Sequence, residues 1–112
     1  MPFIEVKTNK SITEEKAALK AELGSAITAI PGKSEAWLMV EISDGLDMWF
    51  KGSDEPCVMF EVAIFGKASG DAYDDLTGRL CNAAGKYMGI KSDRVYVKYT
   101  EIEHWGYNGF NF

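Results

Sequence analysis

Few of the 112 residues pair a reactive group with a setting that chemistry could use, and the clearest stands second in the chain. Aminopeptidases commonly remove a methionine that precedes proline. Loss of Met1 would turn the Pro2 nitrogen from an amide into a secondary amine. Free α-amino groups titrate at about pH 7.7–8.0. Burial in an apolar pocket and a neighbouring ammonium both lower that value, and an amine that is neutral near physiological pH is a good general base. By itself, Met1-Pro2 is a weak signal and reads first as a start methionine followed by an ordinary proline.

The other reactive side chains carry less. His104 is the single histidine and has no patterned partner, which makes it a structural or surface residue. Glu14-Glu15 and Asp74-Asp75 read as solvated helix surface. Cys57 and Cys81 are far apart, and Phe60 stands where a C-x-x-C pair starting at Cys57 would need its second thiol, so both read as buried free thiols in a reducing compartment. No cluster has metal-ligand spacing, and neither a serine nucleophile elbow nor a phosphate loop is present.

The elements that must hold Pro2 in place follow from periodicity. Phe3-Ile4-Glu5-Val6 predicts a strand. Ser11-Ile12-Thr13-Glu14 fits a capping box, and Leu19, Leu23, Ile27 and Ile30 form the apolar stripe of the helix it would open. Pro31-Gly32 ends that helix, and Ala36 to Ile42 predicts a second strand, apolar on both faces. Gly45 and Gly52 bracket a turn-rich stretch with a short strand near Met48-Trp49-Phe50. The pattern then recurs. Val58 to Phe65 predicts a strand closed by Gly66, and Ser69 or Asp71 caps a helix with Tyr73, Leu76, Leu80, Ala84 and Tyr87 on its buried face. Gly89 ends that helix, and Val95 to Tyr99 predicts a last strand. Lys33-Ser34-Glu35 and Lys91-Ser92-Asp93 occupy equivalent junctions 58 residues apart (Lys33 to Lys91). The pattern is a duplicated β-α-β unit in one domain, residues 1–112, with no linker.

Apolar residues make up 46% and charged residues 26% of the chain, an ordinary globular balance. A net charge of −5 disfavours nucleic acid and anionic membranes as partners. The N-terminus lacks the basic and apolar regions of a signal peptide, and no run approaches a membrane span. The expected location is the cytoplasm. Two helices can cover only one face of four strands. Successive apolar residues in Trp37-Leu38-Met39-Val40 and Val58-Met59-Phe60 predict that both faces seek burial, so a second copy of the chain is the expected cover.

Further landmarks run the length of the chain in order: Pro2, Gly32-Lys33, Ser53-Asp54-Glu55-Pro56-Cys57, Gly66-Lys67, Asp93-Arg94-Val95-Tyr96-Val97, Trp105-Gly106-Tyr107-Asn108-Gly109 and Asn111-Phe112. Together they resemble the macrophage migration inhibitory factor family of the tautomerase superfamily. The resemblance implies an α/β fold in which two pseudo-symmetric β-α-β units form a four-stranded sheet with two helices on one face. It also implies a homotrimer with a pocket at each subunit interface. The implied activity is keto–enol tautomerisation of aromatic α-keto acids such as phenylpyruvate, and of dopachrome-like substrates, without metal or cofactor. The alternative it leaves open is a cytokine-like binding protein, exported without a signal peptide to a host receptor, with a vestigial pocket.

By the same resemblance, Pro2 is the catalytic base and Lys33 binds the substrate carboxylate. Phe65 stands where a backbone N–H assists at that carboxylate. Tyr96 matches a pocket tyrosine supplied by the neighbouring subunit, Tyr107 and Phe112 match aromatic wall positions, and Trp37 replaces a common tyrosine. Ile64, Lys98 and Trp105 are substrate-binding positions where this chain departs from the pattern. Ile64 replaces a small polar residue, and Trp105 replaces an aliphatic one and would narrow the pocket. Lys98 replaces an asparagine and would bring positive charge to the mouth, favouring a second anionic group on the substrate. The C-x-x-C absence rules out a thiol oxidoreductase role.

Overall fold

A computed structural model describes residues 1–112. Its centre is an antiparallel pair, β1 (Pro2–Thr8) with β3 (Val58–Phe65). Both strands strictly alternate buried and half-buried residues, as strands covered on one face do. Pro2, Ile4, Val6 and Thr8 of β1 and Val58, Phe60, Val62 and Ile64 of β3 are the buried set. β2 (Met39–Ser43) adds parallel to β1, and β4 (Val95–Ile102) adds parallel to β3, which gives the order β2-β1-β3-β4. Helices α1 (Glu15–Ala26) and α2 (Gly70–Ala83) connect the parallel pairs and lie on the same sheet face. Leu19, Leu23, Leu76 and Leu80 meet the strand residues there and are fully excluded from water. Burying each such side chain contributes about 1.5–3 kcal/mol before entropy is counted.

The start of α1 differs from the capping-box expectation. The helix begins at Glu15, and the residue before it, Glu14, makes no side-chain cap. The Ile12 N–H instead donates to Asp44 Oδ2 at 2.9 Å, a partner that directly follows the strand over Met39–Ser43. In α2 the expected cap is present: Ser69 Oγ accepts from the Ala72 N–H at 3.1 Å.

The second strand is shorter than its sequence predicts. A single turn of tight helix over Glu35–Trp37 occupies its first residues. No strand forms at Met48–Phe50. Phe50 and Ser53 make one antiparallel bridge around Lys51 and Gly52, whose φ values of +54° and +74° build the tight turn. β4 runs on to Ile102 and is followed by a small hairpin, β5 (Gly106–Tyr107) with β6 (Phe110–Asn111). Asn108-Gly109 turns it, at φ +52° and +91°.

The second sheet face is open in the single chain, but it is not the apolar surface that the sequence predicts. The registers align Glu41, Glu5, Glu61 and Lys98 in one row across all four strands. Lys7 bonds into this row at 2.8 Å from Glu61 and 3.5 Å from Glu5. Apolar side chains flank the charges: Phe3, Met39 and Ala63 on one side, Met59 and Tyr96 on the other. The helix face is dry, and the open face is an ion-paired band with apolar borders.

Candidate active site

Pro2 opens β1 and is buried, paired with Ile64 of β3. The Phe65 N–H donates to the Met1 carbonyl at 3.0 Å, so the β1–β3 ladder holds the chain right up to its first peptide. Gly32, at φ +80°, turns the chain after α1 and delivers Lys33 to the same spot. Lys33 Nζ donates to the Phe65 carbonyl at 2.9 Å. It also faces the N-terminal amine of Met1. Burial first, and then the charge of Lys33 and its hydrogen bond, hold that amine below its ordinary value. With Met1 attached, the Pro2 nitrogen is an amide and has no basic lone pair.

Beside this end of β1 lies a cleft of about 500 Å³. Pro2 and Phe3 form its floor, Trp37 and Met39 one wall, and Trp105 and Tyr107 the other. Aromatic rings tie the walls together. Trp37 meets Tyr107 edge-on at 5.2 Å, Tyr107 stacks with Phe112 at 6.2 Å, and Phe112 packs on Phe65 at 5.7 Å. The Phe112 N–H closes the hairpin onto the Trp105 carbonyl at 3.0 Å. An apolar, ring-lined cleft that ends at the N-terminal residue, with Lys33 beside that residue's amine, fits a flat apolar molecule bearing one anionic group.

Pro2, Lys33, Phe65, Trp105, Tyr107 and Phe112 therefore converge within one chain. Three other candidate residues do not join them. Ile64 turns its side chain into the core, where it is 1% exposed. It shares the helix face with its partner Pro2, and a branched aliphatic residue supports the base from behind instead of lining the cleft. Tyr96 pairs with Met59, five strand positions from Ile64. That places it about 16 Å away along the sheet. Lys98 lies on the open face with its Nζ 2.6 Å from Glu61 Oε1. Hydrogen bonds from Lys7 and Lys98 pull the Glu61 carboxyl down to about 2. The free positive charge expected of Lys98 is thus neutralised by a carboxylate on the next strand.

Met39 and Phe3 were not singled out by the sequence reading, yet both line the cleft. Their signal was the strand alternation, which becomes informative once Phe3 is in register with Met39. Cys57 is buried, as expected, whereas Cys81 is half-buried with its thiol pushed up by desolvation. His104 is exposed. No group of three or more His, Cys, Asp or Glu side chains is placed to hold a metal ion.

A sequence model of the family described as macrophage migration inhibitory factor (MIF) matches residues 1–112. The chain belongs to this family. The macrophage migration inhibitory factor of Meriones unguiculatus is 27% identical over 114 aligned residues, covering 100% of this chain and 99% of that protein. The D-dopachrome decarboxylase-B of Xenopus laevis is 28% identical, covering 97% and 95%. Among solved structures, Leishmania major MIF2 superposes with a TM-score of 0.93 at 32% identity, covering 100% of this chain and 97% of that one. The MIF fold therefore extends over the whole chain, and with it the paired β-α-β units that bring the start of β1 against Lys33.

Proposed function

We propose that this MIF-family chain is a keto–enol tautomerase of aromatic α-keto acids such as phenylpyruvate, with the amine of Pro2, freed of Met1, as its acid–base group. The observation that carries the reading is the lysine ammonium of Lys33 beside an N-terminal amine at the head of a ring-walled cleft. Lys33 spends one of its three donors on the Phe65 carbonyl and faces the N-terminal amine with another, which leaves one for a substrate carboxylate. The aryl group lies against the Trp37–Tyr107 ring pair. The neutral amine takes a proton from the carbon next to the ketone, the electron pair moves to the carbonyl oxygen, and the resulting ammonium returns the proton to that oxygen as enol. The reverse sequence turns enol into ketone. The similarity to D-dopachrome decarboxylase-B supports an enzymatic role.

The working unit in this reading is a homotrimer. Support comes from the open sheet face and from Tyr96, which is 58% exposed and too far along the sheet to reach its own chain's Pro2. An exposed ring on an uncovered face is suited to complete the cleft of a neighbouring copy. Phenylpyruvate turnover by a Pro2→Gly protein tests the proposal. Loss of nearly all turnover in a folded protein agrees with it, and undiminished turnover overturns it.

A further inference from the structure

The side chain of Arg94 has no place in the chemistry just described, yet four main-chain carbonyls surround it. Its guanidinium donates to the carbonyl oxygens of Phe50 at 2.6 Å, Ser53 at 3.1 Å, Glu55 at 2.7 Å and Pro56 at 3.3 Å. Phe50 and Ser53 are also bonded to each other through both of their N–H groups, at 2.9 and 3.1 Å. The planar fork of Arg94 therefore grips both carbonyls of that bridge. A lysine could not, because its ammonium is a single point of charge.

The same grip orients a ring. The Arg94 guanidinium lies 5.2 Å from the Phe50 ring centre, within cation–π range, and Lys51 Nζ lies 5.3 Å from it. Phe50 in turn packs on Tyr96, with ring centres 4.5 Å apart and planes tilted by 44°. Arg94 immediately precedes β4 and Tyr96 is its second residue, so the clamp and the ring it supports share one strand end. Tyr96 is 58% exposed. Phe50 is the aromatic ring packed against it, and removing that ring widens the rotamers open to Tyr96.

We infer that Arg94 is a positioning residue for the substrate pocket: it fixes the turn at Phe50–Pro56 and, through the Phe50 ring, sets the orientation of Tyr96. This rests on the reading that Tyr96 completes the cleft of a neighbouring copy. Uniform binding contacts affect KM more than kcat, so the effect is expected in KM.

The test uses Arg94→Lys, Phe50→Leu, Tyr96→Ala and the double variant Arg94→Lys with Tyr96→Ala. Phe50→Leu leaves the carbonyl clamp in place and guards against a folding failure of the arginine variant. Kinetics with phenylpyruvate are combined with NMR of the Tyr96 ring in tyrosine-labelled protein. Arg94→Lys and Phe50→Leu are each expected to shift the Tyr96 ring resonances and raise KM about five- to tenfold, with kcat within about twofold. The double variant is expected to match Tyr96→Ala alone. The inference is overturned if the Tyr96 resonances stay put in both single variants, if the Arg94→Lys effect persists in full without Tyr96, or if Tyr96→Ala leaves KM unchanged. An unimpaired Pro2→Gly enzyme would sink the assignment of the base but leave these outcomes to decide the role of Arg94.

Discussion

Lys33 Nζ donates a hydrogen bond to the carbonyl oxygen of Phe65 at 2.9 Å. This contact joins the junction after α1 to the last residue of β3, whose own N–H holds the Met1 carbonyl. One residue thus fixes both the ammonium and the first peptide, and the distance between cation and amine is set by sheet register instead of loop flexibility. Replacing Lys33 by Met keeps the length of the side chain and removes its charge. A charge-assisted hydrogen bond is worth about 1.5–3 kcal/mol, so kcat/KM for phenylpyruvate should fall about ten- to a hundredfold. Steady-state kinetics check this.

The pH dependence follows from the same pair. Burial and the charge and hydrogen bond of Lys33 lower the Met1 amine, and in the proposed reading the same surroundings act on the Pro2 amine once Met1 is gone. The base works in its neutral form, so kcat/KM should rise with pH and level off. Its midpoint should lie below the ordinary α-amino range of about 7.7–8.0. Lys33→Met removes both contributions of Lys33, its charge and its hydrogen bond, and leaves only burial, so the rising limb should move to higher pH. A pH–rate profile of both proteins measures the shift.

The cleft wall made by the C-terminal hairpin depends on its turn. Gly109 sits at φ +91°, where a β-branched residue is strained. Gly109→Val should cost about 1–3 kcal/mol locally. Residues 106–112 are exposed and contribute nothing to the main core. The melting temperature should therefore change little, while KM rises as Tyr107 and Phe112 lose their stacking. Thermal unfolding and kinetics on the same sample separate the two effects.

Acid sensitivity should trace to Glu61. Its folded-state value, about 2, lies below the ordinary 4.5 because Lys7 and Lys98 hydrogen-bond to it. A carboxyl lowered on folding stabilises the fold above its unfolded value, and that contribution is lost as pH falls from about 5 toward 2. Glu61→Gln should flatten this part of the curve of melting temperature against pH. The pair is partly solvated, so added salt should weaken the wild-type dependence.

How much of this the sequence disclosed depended on whether the partners were local. β3 was legible to the residue, because its alternation runs unbroken from Val58 to Phe65 and Gly66 stops it. The face of α2 and its Ser69 cap were legible for the same reason. The start of α1 was not, since the group that satisfies the Ile12 N–H is Asp44, 32 residues away. Ser11 offered a plausible local signal that the fold does not use. The apolar runs in β2 and β3 suggested a greasy second face. The charges that occupy it come one or two from each strand and form a band only in register. The ion pair of Lys98 was hidden in the same way, because its partner Glu61 lies on another strand. Pro2 and Lys33 stood out through the family pattern, whereas Met39 and Arg94 required knowledge of the cleft and of the Phe50 turn.

The most direct test of the central claim compares phenylpyruvate tautomerisation by two forms of the same protein, with and without Met1, each verified by intact mass. The account predicts turnover only in the form that begins with Pro2, because only there is its nitrogen an amine. Equal turnover by the form that retains Met1 would contradict it and move the base elsewhere in the cleft.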